Sequence, residues 1–551
     1  MLLKKLAALL LAVTVTATAF GGCGKSDDKA QGGETQANVT DSSMEGNMYK
    51  KGLPLVKDKE TLHMYSIKDV RQLDFNEMEF FKRLEEKTNI HIEWEFEDNT
   101  AGGQKKQLIL ASGQYPDAFF MGLNYSDLSK YYNDGIFIKL DSLIDQYGDN
   151  INAAFAQKPI YKQLCTYVDG SIYTLGATGE DEGHYNPDQL FIYKPWLDKL
   201  GLPIPSTMDE FYTTLKAFKE KDPNGNGKAD ELPFSFRNES QIQGIHSFFA
   251  AFGFSDLVTS IKTPDAKDHF VVENGKVLFT ADKPEYKEAV TFINKLFQEG
   301  LFDKEGFTQD TKQYFAKGKT EQVTLGSFML WNAVNMAGPE RSKDYVPVPP
   351  MKGPGGKQLW TKYMGTSGNL NGAQFAITKA CKNPEIVLRW INEFYDKKTS
   401  AEAIYGPIGL MFKEGADGML EFLPTPDGMS WDEFRYKNCP VWPASAIFVE
   451  DYGKALPLPQ QMFDKNKIKH DIYDPYLKSE TLPPIIFDAA ETEWNLSAGN
   501  DIQNYVNQMR SKWLLDGGID KEWDAYLAKL KQLKIDEHVN KMQAAYDRFV
   551  K

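Results

Sequence analysis

The chain has 551 residues, whereas a single hydrophobic core seldom extends beyond ~250 to 300 residues, so we expect at least two lobes. Its formal net charge of −14 argues against nucleic acid or an anionic membrane surface as a partner. Aromatic residues make up 13% of the chain and include ten tryptophans, so this protein has many aromatic side chains that could contact a ligand.

The N-terminus has the pattern of a secretory signal peptide over residues 1–22. Lys4 and Lys5 precede an apolar run of about 15 residues, which is shorter than the ~20 residues of a membrane-spanning helix. The run ends in Phe-Gly-Gly-Cys, which resembles the bacterial lipobox with phenylalanine in the usual place of leucine. Cys23 is therefore the predicted lipidation site. The alternative is an ordinary cleaved signal followed by an unmodified cysteine.

Residues 23–50 form a polar run with few apolar side chains to bury, and we interpret them as a lipidated flexible tether. A lipid chain on Cys23 contributes ~0.8 kcal/mol per buried methylene group, so lipid rather than a helix would hold the protein to the membrane. These features predict a body at the cell surface, anchored to the outer face of the cytoplasmic membrane.

Strands and helices alternate in the first part of the body. The patterns predict a strand at LHMYSI, a helix over 75–87, a strand over 90–96, a helix that ends near Gly113 and a buried strand over 118–121. This alternation is typical of an α/β fold with a mostly parallel sheet.

Helix signals dominate the rest of the chain. Thr207 and Glu210 have the spacing of a capping box and open a helix that runs to about residue 220. Further helices are predicted over 284–299 and 384–395, the second after a strand over 374–378. The C-terminal part is predicted to be helical.

Three cysteines follow Cys23, and they lie far apart in the sequence. Cys165, Cys381 and Cys439 are not close to one another or to a histidine, so the spacing of a zinc site is absent. A disulfide between two of them is possible, but we favour free buried thiols.

The sequence DPNGNGKADE directly follows the capped helix, and its oxygen-bearing residues recur at odd positions. Calcium prefers six to eight hard oxygen ligands, and glycines permit the tight curl of a loop around an ion. The spacing follows an EF-hand loop but lacks its twelfth glutamate, where Pro233 stands. A metal-free turn is the alternative. We favour a structural calcium site with the ligands Asp222, Asn224, Asn226, the Lys228 carbonyl, Asp230 and Glu231.

Together with YKPWLDKLG, ASGQYPD and AAYDRF, the segment GLPIPSTMDEFYTTLKAFKEKDPNGNGKADELP resembles family 1 extracellular solute-binding lipoproteins of the LipO-like group. Alginate-oligosaccharide-binding proteins of that superfamily hold calcium in the same loop. The resemblance implies a two-lobed α/β receptor of the periplasmic-binding-protein type II fold, with a hinge and an interlobe cleft. It also implies delivery of an oligosaccharide to the permease of an ABC importer by a monomer.

On this resemblance, residues 51–180 plus 373–435 form the N-terminal lobe. Residues 181–372 plus 436–551 form the C-terminal lobe, which contains the calcium loop.

Candidate ligand residues follow from the same resemblance. Trp331 lies in a stretch similar to the family's GK-x-A-M…W segment, although residues 322–325 depart from it. Trp442 is the second choice, and Trp360 and Trp494 follow because their neighbours are polar. Sugar rings stack their apolar faces on indole, but each of these tryptophans has packing in the core as its alternative.

Two other functions are compatible with the sequence. A glycoside hydrolase needs two carboxylates in a cleft, and with 77 acidic residues a pair can always be nominated. No Gly-x-Ser-x-Gly, His-Glu-x-x-His or glycine-rich phosphate motif occurs, so we expect no enzymatic activity. A binding protein for a peptide or an acidic ligand is the other alternative.

Overall fold

The structure is a computed structural model that describes residues 44–178, 189–237, 244–254, 267–361, 370–416, 420–426, 429, 431–448, 451, 467–477, 482–483 and 485–551. The predicted signal peptide, Cys23 and most of the predicted tether lie outside these ranges. Residues 44–50, at the end of the predicted tether, form a short hairpin in which Met48 is only 1% exposed. Where the structure is described, none of its helices has the length and apolar character needed to cross a membrane.

The strands of the described residues form five small sheets. They are β1 (Met44–Glu45), β2 (Met48–Tyr49), β3 (Glu60–Lys68), β4 (Ile90–Asp98), β5 (Ala118–Met121), β6 (Leu175–Thr178), β7 (Gln189–Tyr193), β8 (Phe270–Glu273), β9 (Lys276–Phe279), β10 (Ser327–Leu330), β11 (Tyr345–Val348), β12 (Leu370–Ile377), β13 (Phe412–Glu414) and β14 (Leu420–Phe422).

The described residues also form many helices. They are α1 (Glu79–Thr88), α2 (Gln104–Ser112), α3 (Tyr125–Tyr131), α4 (Asp141–Tyr147), α5 (Asp149–Gln157), α6 (Pro159–Cys165), α7 (Lys194–Leu200), α8 (Met208–Glu220), α9 (His246–Ala250), α10 (Pro284–Gln298), α11 (Thr311–Ala316), α12 (Ala333–Arg341), α13 (Pro384–Asn392), α14 (Lys397–Tyr405), α15 (Trp431–Asn438), α16 (Ala489–Trp494), α17 (Asn500–Asp516), α18 (Ile519–Gln532) and α19 (Ile535–Val550).

The largest sheet has five strands in the order β4-β3-β5-β12-β6. Strand β3 is parallel to both β4 and β5, with Glu60 opposite Ile90 and Met64 opposite Ala118. These three strands are joined by the helices α1 and α2, which is the crossover connection that parallel pairing needs. Their carboxyl ends therefore lie along one edge of the sheet.

The expectation of a mostly parallel sheet is wrong beyond these three strands. Strand β12 is antiparallel to β5 and β6, and in the second sheet β10 and β11 are both antiparallel to β7. Strand β12 returns to the sheet only after the chain has built the second sheet, so no local helical crossover fixes its direction.

Two large hydrophobic cores contain residues of the five-stranded sheet and of the three-stranded sheet. One contains residues of β3, β4, β5 and β12, with Trp390 and Val441 among its buried members. The other contains residues of β7, β10 and β11 together with the C-terminal helices, with Trp360 and Trp513 buried in it. The division of the chain between two lobes at the residues given above stays a prediction.

The three cysteines of the body are free thiols, as favoured from the sequence. Cys165 and Cys439 are buried, whereas Cys381 is partly exposed. Burial raises the pKa of the Cys165 thiol to about 12, so this thiol stays protonated and unreactive near neutral pH.

Candidate functional site

The carboxyl edge of the five-stranded sheet is where a ligand is expected, because ligands of open α/β sheets bind beyond the carboxyl ends of parallel strands. Strands β3, β4 and β5 end there at Lys68, Asp98 and Met121. The turn after β5 leads through Gly122 and Asn124 into α3. Asn124 starts this helix with a capping box, in which its side chain accepts a hydrogen bond from the backbone of the third helical residue.

A buried ionic network fixes this edge. The Lys106 ammonium lies 2.6 Å from the Asp127 carboxylate and donates to the Gly122 carbonyl at 2.6 Å. Beside it, the Tyr65 hydroxyl donates to the Glu97 carboxylate at 2.5 Å. Burial and this carboxylate raise the pKa of Tyr65. The groups of this network are paired with one another, so the network holds the edge in place.

A cavity of about 300 Å³ opens next to this edge. One wall is the start of α3 and the other is formed by the segment before α16 and the beginning of α17. Its described lining is Asn124, Tyr125, Ser126, Ser129, Lys267, Ile485, Phe487, Thr492, Asn495, Leu496 and Asn500.

Hydrogen bonds hold the two walls together. The Ser129 hydroxyl donates to the Phe487 carbonyl at 2.7 Å. On the first wall, the Tyr125 hydroxyl accepts from the Gly372 backbone N–H at 2.8 Å and donates to the Leu164 carbonyl at 3.0 Å. The cavity therefore has fixed walls that carry amide and hydroxyl groups.

Trp331 and Trp442 are partly buried, so part of each indole remains accessible. Trp331 follows β10 and contacts Phe315 edge-on, with ring centroids 6.1 Å apart. The Arg435 guanidinium lies 5.8 Å from the ring of Trp442, and the backbone carbonyl of Trp442 accepts from Gln374 Nε2 at 3.0 Å. Their role as ligand residues stays a prediction.

Trp360 and Trp494 have different surroundings. Trp360 is only 2% exposed and packs against Tyr473 at 5.2 Å between ring centroids, so in this conformation its ring offers no face to a ligand. Trp494 is partly buried, its indole N–H donates to His538 Nδ1 at 3.3 Å, and the Lys541 ammonium lies 4.8 Å from its ring. None of the four tryptophans is among the described residues that line the cavity.

The candidate metal loop is folded into a compact turn. The Asp222 carboxylate accepts hydrogen bonds of 3.0 to 3.1 Å from the backbone N–H groups of residues 225–227. Asp230 accepts from the side-chain amides of Asn224 at 2.8 Å and Asn226 at 2.9 Å, and these bonds lower the pKa of Asp230. The oxygen-rich side chains are thus gathered on one side of the loop.

Glu231 is the exception, because its Oε1 is buried and has no hydrogen-bond partner in the structure. Burial raises the pKa of Glu231, and the charges of Asp222 and Asp230 raise it further. A carboxylate oxygen without a partner, beside two other carboxylates, fits a hard divalent cation. Within the described part of the chain, however, no group of three or more His, Cys, Asp and Glu side chains is positioned to hold a metal ion.

Sequence reasoning did not find the residues of the cavity. The strand over 118–121 was predicted, and the Gly-Leu-Asn turn after it marks a carboxyl end, which is a signal for the first wall. The second wall, around Asn495 and Asn500, carries no local motif.

A family model described as bacterial extracellular solute-binding protein matches residues 76–401. Over 537 residues the chain is 33% identical to the fructooligosaccharide ABC transporter substrate-binding protein FusA of Streptococcus pneumoniae, covering 94% of this chain and 95% of FusA. It is also 29% identical over 335 residues to the lipoprotein LipO of Bacillus subtilis, covering 58% of this chain and 61% of LipO.

Solved structures show the same similarity to FusA. The chain matches FusA of Streptococcus pneumoniae in complex with kestose with a TM-score of 0.79 at 32% identity, covering 89% of this chain and 99% of FusA. An EF-hand mutant of FusA in complex with fructo-nystose matches with the same TM-score, identity and coverage. The predicted two-lobed α/β fold is thereby confirmed, and the chain belongs to the bacterial extracellular solute-binding protein family.

Proposed function

We propose that this protein captures an oligosaccharide outside the cell and delivers it to the permease of an ABC importer. The observation that carries the proposal is the similarity to a fructooligosaccharide-binding protein over nearly the whole length of both chains. Fructooligosaccharides are accordingly the first ligands to test.

Binding rests on contacts that strengthen when the two lobes close. The partly exposed rings of Trp331 and Trp442 supply faces for the apolar side of sugar rings. Amides and hydroxyls at the carboxyl edge of the five-stranded sheet supply partners for sugar hydroxyls. A ligand that contacts both lobes binds the closed state more tightly than the open state and shifts the population towards closure.

We also propose that the loop over 222–231 holds a structural calcium ion, with the six ligands predicted from the sequence. The Glu231 carboxylate oxygen without a partner supports this, as does the similarity to an EF-hand mutant of FusA. Rotating the amides of Asn224 and Asn226 would replace their Nδ2 groups by oxygens, which a cation accepts as ligands. Bound calcium would neutralise the carboxylates and brace the loop behind α8.

Anchoring through lipid on Cys23 and a monomeric state complete the proposal. The similarity to the lipoprotein LipO supports the lipid anchor. A lipid and a short tether would keep the protein near its permease.

Isothermal titration calorimetry on the body from residue 44 onward tests the function. Kestose and fructo-nystose should bind saturably. Maltotriose is titrated as a different oligosaccharide, and a short peptide and a uronate trisaccharide represent the alternative ligand classes. Failure of both fructans to bind, with tight binding of a peptide or a uronate, would overturn the assignment. Chromatography of the recovered sugars checks that they are unchanged, because hydrolysis would identify an enzyme instead.

A further inference from the structure

We propose that the C-terminal segment AAYDRF, residues 544–549 at the end of α19, is a strap that holds the two lobes together and biases the ligand-free protein towards closure. The lobes are taken here as the bodies built around the two large hydrophobic cores. The inference rests on the proposed function, because lobe closure is the step by which the ligand is held. In the sequence this motif indicates only the family, whereas in the fold it contacts both cores.

Phe549 lies where the two large cores meet. Its partly buried ring packs against the core of the three-stranded sheet and also against the core of the five-stranded sheet. Its backbone carbonyl accepts a hydrogen bond from Gln163 Nε2 on α6, a helix that packs on β6 and β12 of the five-stranded sheet. By contrast, Ile535 and Met542, earlier on α19, are buried in the core of the three-stranded sheet. The helix therefore starts in one core and ends against the other.

Arg548 fixes a second connection between the cores. Its guanidinium forms a bidentate pair with Glu491, with Nη2 at 2.6 Å from Oε2 and Nη1 at 3.1 Å from Oε1. Nη2 also donates to the Ile486 carbonyl at 2.9 Å. Glu491 is only 8% exposed, and a bidentate pair with a buried carboxylate is stronger and better defined in geometry than an ordinary surface ion pair. Arg548 thus attaches the segment over 485–491 to the end of α19.

This segment passes between the two cores. Ile485 is buried in the core of the three-stranded sheet, whereas the next residue, Ile486, is buried in a cluster with residues of β3, β5 and β12. One residue further, the Phe487 carbonyl accepts a hydrogen bond from the Ser129 hydroxyl of α3 at 2.7 Å. Consecutive residues therefore anchor the segment in both bodies, and the strap is bonded to the same junction.

The junction lies on the side where the ligand is expected. Ser129, Phe487 and Thr492 line the cavity at the carboxyl edge of the sheet, and Thr492 directly follows the Glu491 that Arg548 holds. Contacts that join the lobes on this side are lengthened or broken when the lobes open, so they stabilise the closed state. An element that stabilises one of two states raises the population of that state before any ligand is present. A larger closed fraction lowers the apparent Kd of every ligand by the same factor.

Arg548 itself is not expected to touch a sugar. It does not belong to the described lining of the cavity, and both terminal nitrogens of its guanidinium are engaged by Glu491 and Ile486. A change in affinity that follows from the loss of Arg548 should therefore not depend on the identity of the ligand.

Arg548→Gln and Phe549→Ala test the strap, each made in the full chain with Cys23→Ser so that no lipid is attached. Small-angle X-ray scattering of the ligand-free protein measures the separation of the lobes, and calorimetry with kestose and fructo-nystose measures affinity. We expect a larger radius of gyration in both ligand-free variants, which returns to that of the Cys23→Ser reference when kestose saturates the protein. A tenfold fall in the closed fraction would raise Kd about tenfold, by the same factor for both sugars.

Lys512→Gln is the matched control. It also removes one positive charge and one ion pair, that with Glu522 at 2.5 Å, but this pair joins α17 to α18 within the core of the three-stranded sheet. Its radius and its Kd values should equal those of the reference. Thermal melts establish that each variant is folded, and Arg548→Gln decides the outcome if Phe549→Ala is not, because the Arg548 side chain is partly exposed.

A folded Arg548→Gln protein with the radius of the reference would overturn the strap. A Kd that changes for one sugar and not for the other would overturn it too, because it would identify a direct ligand contact. Failure of the reference to bind either fructan would instead refute the proposed function, while the radii of the ligand-free proteins would still test the strap.

Discussion

Glu231 carries a buried carboxylate oxygen without a partner beside two other carboxylates, which makes the calcium-free loop electrostatically unfavourable. We predict that Glu231→Gln leaves the chelated protein as stable as the wild type or more stable, because the substitution removes the buried charge. Calcium should raise the Tm of the wild type, because at a hundredfold excess over Kd it increases the free energy of unfolding by about 2.7 kcal/mol. The Tm of the variant should rise much less.

Differential scanning calorimetry in calcium and in chelator makes this measurement. Glu220→Gln is the control. Glu220 ends α8, the helix before the loop, and its side chain is exposed and outside the loop. A Glu231→Gln protein that keeps the full calcium-dependent rise in Tm would contradict the metal assignment.

The raised pKa of Glu231 also predicts a pH dependence. In the unfolded chain this carboxyl loses its proton near its ordinary pKa of 4.5, whereas in the calcium-free folded protein it does so at higher pH. Between these values the folded state binds more protons, so its stability falls as pH rises. In chelator, the Tm of the wild type relative to Glu231→Gln should therefore decrease from pH 4.5 towards neutral pH. A constant difference in Tm between the two proteins across this pH range would show that the Glu231 carboxyl does not cause the pH dependence.

Two tryptophans are expected to respond differently to truncation. Trp360→Ala should lower the free energy of unfolding by about 3 to 5 kcal/mol, because its ring is buried in the core against Tyr473. Trp331→Ala should leave the Tm nearly unchanged and raise Kd for kestose about tenfold, because its ring is partly exposed. Thermal melts and calorimetry separate the two effects. Unchanged affinity for kestose in Trp331→Ala would show that Trp331 does not bind the ligand.

The sequence around Trp360 could not reveal this burial. Its polar neighbours suggested a ligand residue, yet its backbone N–H donates to the Tyr476 carbonyl at 3.0 Å and its ring packs on Tyr473, more than a hundred residues away in the chain. A residue's exposure depends on such distant partners, whereas the pattern of neighbours reports only the local element.

At the level of elements, α8 shows how far local signals reach. Thr207 was predicted to start this helix, and its side chain accepts from the Glu210 backbone N–H at 3.1 Å. The Glu210 carboxylate, in addition, accepts from the Ser206 backbone N–H at 2.7 Å, one residue before Thr207. The capping box is thus extended by one residue, which the four-residue spacing alone does not indicate.

Removing the cap should weaken the helix that leads into the candidate metal loop. Thr207→Ala is expected to lower the free energy of unfolding by about 1 kcal/mol, because one helical N–H loses its acceptor. Thr213→Ala, on the same helix with its hydroxyl bonded to the Asp209 carbonyl, should change it by less than half as much. Urea denaturation measures both. An equal loss in the two variants would contradict a specific contribution of the Thr207 cap.

Strand directions were predictable only where connections are short. The strand-helix alternation from β3 to β5 required parallel pairing, and the structure has it. No such constraint acts on β12, which joins the first sheet beside β5 only after the strands of the second sheet in the chain. Local periodicity therefore identified the strands, while the antiparallel half of the sheet depends on the path of the whole chain.

In the whole molecule, the candidate cavity depends on segments that are remote in sequence. Ser129 and Phe487, which join its two walls, are 358 positions apart. The second wall is held in turn by Arg548, whose guanidinium lies 2.6 Å from the Glu491 carboxylate and donates to the Ile486 carbonyl at 2.9 Å. Membership of the family could be predicted from motifs, but a site assembled in this way could not.

If the proposed lipid anchor is correct, the position of the molecule in the cell depends on Cys23. We predict that Cys23→Ser abolishes lipidation, so that the exported protein is released into the medium instead of remaining with the membrane fraction, because the apolar signal run is too short to hold it. Fractionation followed by immunoblotting measures the distribution, and metabolic labelling with palmitate measures the lipid. The released protein should bind kestose with the Kd of the wild type. Continued membrane association without label would show that another segment anchors the chain.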